Sequence, residues 1–246
     1  MHIEYHKWYS ERLGREMELK VYGHYGKPVL VFPSSGGRFH EFEDFKMIAA
    51  ASEFINNGEV KFICIDSIDK DTWLNKQTSD EHIGGRHEAF HRYVTDEVVP
   101  FIWQLCGGKI AIATHGCSLG AYHAANFFFK EPGIFDAVLA FSGVYNIKKV
   151  LGRNYGTEQL YFNSPLDYLP NMNDPWYLSK YQNSKIIICV GQGAWEDEMM
   201  DDTATMKSIL AAKQVDAWVD FWGHDVDHDW PWWRKQLVHF LPHIIQ

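Results

Sequence analysis

Short apolar runs recur along the chain, separated by segments with helical spacing. Pro28 to Phe32 is a continuous apolar run and reads as a central strand, and Val60 to Ile65 is another. Met17, Leu19 and Val21 alternate with Glu18, Lys20 and Tyr22, the period-2 pattern of a half-buried strand. His2 to Tyr9 is expected as an edge strand ahead of a turn at Leu13-Gly14-Arg15. Further strands are expected over Lys109 to Thr114, Phe135 to Phe141, Lys185 to Val190 and Ala217 to Phe221. Helices are expected over Glu41 to Ile55, Arg86 to Leu105, Ala121 to Phe129, Thr203 to Lys213 and Trp232 to Ile245. In the second of these, Phe90, Tyr93, Val94, Val98, Ile102 and Leu105 share one face, and Pro100 is expected to kink or divide it. The loop from Ser67 to Gly85 reads as polar and irregular.

Strands alternating with helices predict an α/β fold: a mostly parallel central sheet with helices on both faces. Ligands in such sheets bind beyond the C-terminal ends of the strands, so chemistry is sought in the loops that follow them. The expected organisation is one domain over 1–246. Its one candidate elaboration is a small cap-like insertion at about 145–183, which is aromatic, rich in turn residues and without a clean period.

Composition narrows the function class. The chain has 246 residues, 46% hydrophobic, with a net charge of -9. No Lys/Arg cluster is present, so neither nucleic acid nor an anionic membrane is an expected partner. No apolar run approaches the ~20 residues of a membrane span. Met1 to Ser10 lacks a basic start followed by an apolar core, so no signal peptide is expected. Cys64, Cys106, Cys117 and Cys189 have no metal-ligand spacing and read as reduced thiols of a cytoplasmic protein.

The chemistry concentrates after the strands. Gly116-Cys117-Ser118-Leu119-Gly120 fits G-x-S-x-G between an expected strand and an expected helix, the context of a nucleophile elbow. Ser118 Oγ would stand at a helix N-terminus, where backbone N–H groups favour developing negative charge. A serine nucleophile needs a base, and the base an orienting acid, in the chain order Ser, Asp/Glu, His. The acid is expected from Gly191-Gln192-Gly193-Ala194-Trp195-Glu196-Asp197-Glu198 and the base from Gly223-His224-Asp225-Val226-Asp227-His228-Asp229-Trp230. Several carboxylates and two histidines compete for these roles. One oxyanion donor is expected at the Leu119 N–H and the other in Pro33-Ser34-Ser35-Gly36-Gly37. His87 and His91 stand i, i+4 on a helix but have no evident third partner, so a metal site is not expected. Cys117 sits one position too early to be the nucleophile.

Gly116-Cys117-Ser118-Leu119-Gly120, Gln192-Gly193-Ala194-Trp195-Glu196 and His228-Asp229-Trp230-Pro231-Trp232-Trp233 together resemble the esterase D / antigen 85 group of serine esterases, which also includes S-formylglutathione hydrolases and feruloyl esterases. The resemblance runs from about Met17 to the C-terminal helix and implies an α/β-hydrolase fold. It places the acid at Glu196, the base at His228 rather than His224, and the second oxyanion donor at Ser35, one residue either way. Glu196 stands where the esterase D branch usually has Asp, so the substrate of that branch does not transfer. The expected activity is carboxylic ester hydrolysis through a Ser118-His228-Glu196 triad and an acyl-enzyme. It needs a small-molecule ester, no metal and no organic cofactor. Acyl transfer by the same triad, a non-catalytic binding role on the same fold, and self-association stay open. The aromatics of the insertion, among them Tyr145, Tyr155, Tyr161, Phe162, Tyr168, Trp176 and Tyr177, suggest a fixed wall and a short acyl pocket.

Overall fold

The structure, a computed structural model, describes residues 1–245. Its frame is an 8-stranded sheet. The strands are β1 (Ile3–Ser10), β2 (Arg15–Tyr22), β3 (Lys27–Phe32), β4 (Val60–Ile65), β5 (Ile112–Cys117), β6 (Phe135–Phe141), β7 (Lys185–Val190) and β8 (Trp218–Phe221). They lie in the order β1-β2-β4-β3-β5-β6-β7-β8. β1, β2 and β4 pair antiparallel, and every pair from β4 onward is parallel. This is the mostly parallel α/β sheet that the alternation of strands and helices predicts, in the α/β-hydrolase arrangement that the family resemblance implies.

Strict period-2 burial divides the core between the two faces of the sheet. Leu30, Phe32, Ile63, Ile65, Val138, Ala140, Ile186 and Ile188 enter one apolar cluster. Their neighbours Val29, Val31, Phe62, Cys64, Leu139, Phe141, Ile187 and Cys189 enter the other. Two-sided burial is why these strands carry no polar alternation in the sequence.

The helices differ from expectation in instructive ways. Glu41 to Ile55 is not one helix but three short ones, α1 (Glu41–Asp44), α2 (Met47–Ala50) and α3 (Ser52–Asn56). Lys46 adopts φ 63, in the left-handed region, which breaks the first from the second. The next helix begins earlier than expected: Ser79 caps it by accepting from the His82 N–H, so α4 spans Asp80–Tyr93. A π-helical turn, Val94–Val98, joins it to α5 (Val99–Leu105). Pro100 has no N–H to donate to the Asp96 carbonyl, and the wider turn sits where that bond is missing. α6 (Leu119–Lys130) follows β5 directly, and nearly all of it is buried.

Between β6 and β7 the insertion forms α7 (Ile147–Leu151), α8 (Glu158–Tyr161), α9 (Pro165–Tyr168) and α10 (Pro175–Gln182). Each is too short to show a period in sequence. Ile147, Leu151 and Leu160 pack with Trp73, Ile83, Leu119 and Tyr122 in a third cluster. Buried Asn163 fastens the segment to α6. Its side-chain oxygen accepts from Asn126 Nδ2 at 3.0 Å and Lys130 Nζ at 3.1 Å, and its carbonyl accepts from Tyr122 Oη at 2.7 Å. α11 (Asp197–Ala212) and α12 (Trp230–Phe240) complete the fold, the former beginning six residues earlier than the sequence reading. None of the described helices is long and apolar enough to cross a membrane.

Asn163→Leu keeps the volume but leaves the buried Asn126 amide and the Lys130 ammonium without their acceptor. Each orphaned polar group costs about 1–3 kcal/mol, so urea denaturation should show a loss of roughly 2–4 kcal/mol. A loss below about 0.5 kcal/mol would show that the insertion is held by its apolar contacts alone.

Candidate active site

Ser118 stands between the end of β5 and the start of α6, with φ 57 and ψ -125. A serine reaches this conformation only under constraint. The constraint is the close approach of strand and helix. A Cβ on Gly116 would lie 2.2 Å from the Gly120 carbonyl, and a Cβ on Gly120 would lie 2.5 Å from the Phe32 carbonyl oxygen. Only glycine at both ends lets the chain reverse this sharply, and the reversal leaves Ser118 partly exposed at the C-terminal edge of the sheet.

His228 Nε2 lies 3.0 Å from Ser118 Oγ, and His228 Nδ1 lies 3.2 Å from Glu196 Oε2. Glu196 is fully buried, and its second oxygen accepts from Ser142 Oγ at 2.5 Å and the Gly191 N–H at 3.3 Å. Ser142 Oγ in turn accepts from Trp233 Nε1 at 3.1 Å. The Trp233 ring also packs edge-on against His228, with centroids 4.9 Å apart and planes at 86°. One tryptophan therefore fixes the imidazole by contact and the acid through Ser142.

The loops that carry acid and base are laced together by their backbones. Gly193 N–H donates to the Val226 carbonyl at 2.8 Å, Ala194 N–H to Asp227 Oδ1 at 2.7 Å, and His228 N–H to the Ala194 carbonyl at 3.0 Å. His224 is exposed and outside this chain of bonds, and Asp197 is exposed on the first turn of α11. Of the paired candidates, the geometry joins His228 and Glu196 to Ser118.

Cys117 is buried in the apolar cluster that includes Phe141 and Trp233. Burial, with the Glu41 and Glu196 carboxylates nearby, pushes its thiol well above the ordinary range, so it stays protonated and weakly nucleophilic.

The loop after β3 is pinned on both sides of Ser35. Glu41 accepts the Ser34 N–H and hydroxyl, each at 2.7 Å, and Asp69 Oδ2 accepts the Gly36 N–H at 3.2 Å. Gly37 N–H donates to the Ser34 carbonyl at 2.9 Å. Among the described residues, no acceptor takes the N–H of Ser35 or of Leu119. These are the two groups nominated from sequence.

Sequence reading passed over Ser142, Trp233, Asp69 and His123. Ser142 directly follows a buried strand, Trp233 entered only as the end of the motif that begins at His228, and Asp69 and His123 lie in no motif. His87, of the i, i+4 histidine pair, is fully buried. Among the described residues no cluster of His, Cys, Asp or Glu is arranged to hold a metal.

The sequence matches the model of the family described as "Putative esterase" over residues 10–244. No curated protein sequence matches it. Solved structures share the fold at low identity. An S-formylglutathione hydrolase from Agrobacterium tumefaciens superposes with a TM-score of 0.73 at 16% identity, covering 98% of this chain and 93% of that one. MPT51 of Mycobacterium tuberculosis superposes with a TM-score of 0.74 at 12% identity, covering 100% and 98%. A ferulic acid esterase of the anaerobic fungus Anaeromyces mucronatus gives a TM-score of 0.73 at 13% identity, covering 99% and 90%.

The elbow makes a stability prediction independent of chemistry. Gly120→Ala should cost about 3 kcal/mol or more in chemical denaturation, because its Cβ meets backbone carbonyls that cannot give way. Gly108→Ala, where a Cβ meets nothing within 4 Å, should stay within about 0.5 kcal/mol of the parent. Equal stability of the two variants would contradict the close approach.

Proposed function

We propose that this chain, a carboxylesterase-type serine hydrolase that belongs to the esterase family, cleaves short-chain acyl esters through a Ser118-His228-Glu196 triad. The observation that carries the proposal is the unbroken line Ser118 Oγ, His228, Glu196 ending on a buried carboxylate at a nucleophile elbow. Ser118 Oγ attacks the ester carbonyl while His228 Nε2 takes its proton. Glu196 holds the opposite tautomer through Nδ1–H and offsets the charge of the imidazolium. The Leu119 and Ser35 N–H groups receive the oxyanion. His228 returns the proton to the leaving alcohol, and water, activated by the same imidazole, resolves the acyl-enzyme.

Residues 145–183 act in this reading as a fixed cap. A lipase lid keeps a broad apolar helical face ready to open onto lipid. Here Ile147, Leu151 and Leu160 spend their apolar surface against Leu119, Tyr122 and Trp73, next to the nucleophile. A wall packed that way leaves room for a short acyl chain.

Ser118→Ala should lower ester hydrolysis by on the order of 10⁴-fold or more, and His228→Ala similarly. His224→Ala should cost less than about tenfold, as expected of a residue outside the triad. Glu196→Gln should cost far more than Asp197→Asn. A fluorophosphonate probe should label the parent and not Ser118→Ala. Activity of the Ser118 variant at a hundredth of the parent would refute the serine mechanism.

Chain length tests the cap. With p-nitrophenyl esters below their micelle-forming concentrations, kcat/KM for lauroyl should be at least roughly tenfold below butyryl, a gap of ~1.4 kcal/mol. Lauroyl matching butyryl would make the insertion a lipid-binding lid.

A further inference from the structure

The two donors of the proposed oxyanion hole sit on different elements, Leu119 at the first turn of α6 and Ser35 on the loop after β3. A hydrogen bond donor contributes only if it is held where charge develops, so the spacing of these elements matters as much as their presence. One buried bridge joins them. His123 lies one helical turn beyond Leu119 on α6, and its Nε2 is 2.8 Å from Asp69 Oδ1. The other oxygen of Asp69 accepts the N–H of Gly36, the residue after Ser35, at 3.2 Å. Gly36 has φ 65, a conformation open to glycine, which turns its N–H onto the carboxylate.

We propose that Asp69 and His123 are positioning residues that hold the Ser35 donor at a fixed distance from the Leu119 donor, and so set how well the site stabilises an oxyanion. The inference rests on the ester-hydrolase reading above. Asp69 has no exposed surface and His123 only 1%. A carboxylate–imidazole pair so deep is costly, and apolar side chains would fill the same volume more cheaply. Its two carboxylate oxygens face one group on each half of the proposed hole. The imidazole is itself held rigid. Phe32 stacks on it at 5.8 Å and 24°, and His87 at 5.6 Å and 28°.

The tautomer follows from the partners. His123 Nδ1, both ring nitrogens of His87 and Trp73 Nε1 are buried without a hydrogen-bond partner. A hydrogen on His123 Nδ1 would therefore be unsatisfied, whereas one on Nε2 meets the carboxylate. His123 thus donates to Asp69 through Nε2. Its stacked neighbour His87 is neutral, because burial holds its pKa well below the ordinary range.

The experiment uses the full chain. In the parent, ¹⁵N NMR of labelled histidine should show a hydrogen on His123 Nε2; hydrogen on Nδ1 alone would overturn the proposal whether or not any variant folds. Asp69→Asn and His123→Leu should lower kcat for p-nitrophenyl acetate by roughly 10- to 100-fold, with KM within about threefold, as expected when a donor is displaced rather than deleted. A trifluoromethyl ketone, which forms a tetrahedral adduct, should bind more weakly by the same factor. His123→Gln, whose amide can still donate to Asp69, should recover activity to within about threefold of the parent. A folded Asp69→Asn or His123→Leu with kcat within twofold of the parent, or with KM raised and kcat unchanged, would overturn the proposal. Ser118→Ala separates the two readings. If it abolishes hydrolysis while Asp69→Asn leaves kcat intact, only the positioning role fails; if it leaves hydrolysis intact, the hydrolase reading itself fails.

Discussion

The close approach of β5 to α6 at Gly116 and Gly120 is the constraint on which the rest of the site depends. With carbonyl groups of Phe32, Pro33 and Gly120 standing where side chains would otherwise be, the chain reverses within a few residues. That reversal sets Ser118 at φ 57 and exposes its hydroxyl. It also leaves the Leu119 N–H at the first turn of α6 without an intramolecular acceptor, and seats the start of the helix on the loop after β3. One packing relation thus places the nucleophile, one candidate donor and the root of the loop that carries the other. It draws in the insertion as well. Leu119, fixed by the elbow, is a member of the cluster that receives Ile147, Leu151 and Leu160.

The acid and base are placed by a different device. They lie on loops after β7 and β8, far apart in sequence from Ser118, and those loops are laced by the bonds of Gly193, Ala194 and His228 to the opposite strand's loop. In the proposed triad a glutamate stands at the acid position, and its surroundings hold the longer side chain in place. Glu196 stands at the N-cap position of α11 without capping it; its buried side chain meets His228 with one oxygen and Ser142 with Gly191 with the other. A longer side chain has more rotamers to lose, but three donors and complete burial leave it one arrangement.

Most of the fold was legible because it follows from burial on two sides of a sheet. β3, β4, β6 and β7 read as apolar runs, and β2 as an alternation, since each pattern is the direct record of which faces meet solvent. Glu41 to Ile55 misled because its apolar positions suit a helix, while one left-handed residue, Lys46, cuts it. Nothing in the side chain of a lysine announces that conformation. Ser118, Glu196 and His228 were nominated from their places after strands and from a family resemblance. Asp69, His123, Ser142 and Trp233 were not, because they support the site through pairwise contacts across the sheet's edge. His123 on a buried helix looks like a core residue in sequence, and Asp69 like one acid of a polar loop. Only their meeting at 2.8 Å distinguishes them.

Backbone strain shows where this structure concentrates its constraint. Five residues other than glycine have positive φ among the described residues, and three of them belong to the proposed site: Ser118, Ser142 and Trp195. Each costs on the order of 1–3 kcal/mol and persists only where its surroundings leave no alternative. Ser118 is held by the elbow. Ser142 is held by its N–H to the Cys189 carbonyl at 2.8 Å and by the bonds of its hydroxyl to Glu196 and from Trp233. Trp195, 84% exposed, sits between Ala194, whose N–H and carbonyl are both engaged, and buried Glu196. Its ring gains almost nothing from burial, so the strain there is the consequence of holding Glu196 in place. The three strained residues are thus Ser118 itself, the hydroxyl donor to Glu196 and the residue that precedes Glu196. Strain distributed in this way fixes the relative positions of Ser118, Ser142 and Glu196 from three different loops, the preorganisation that the proposed triad needs before substrate arrives.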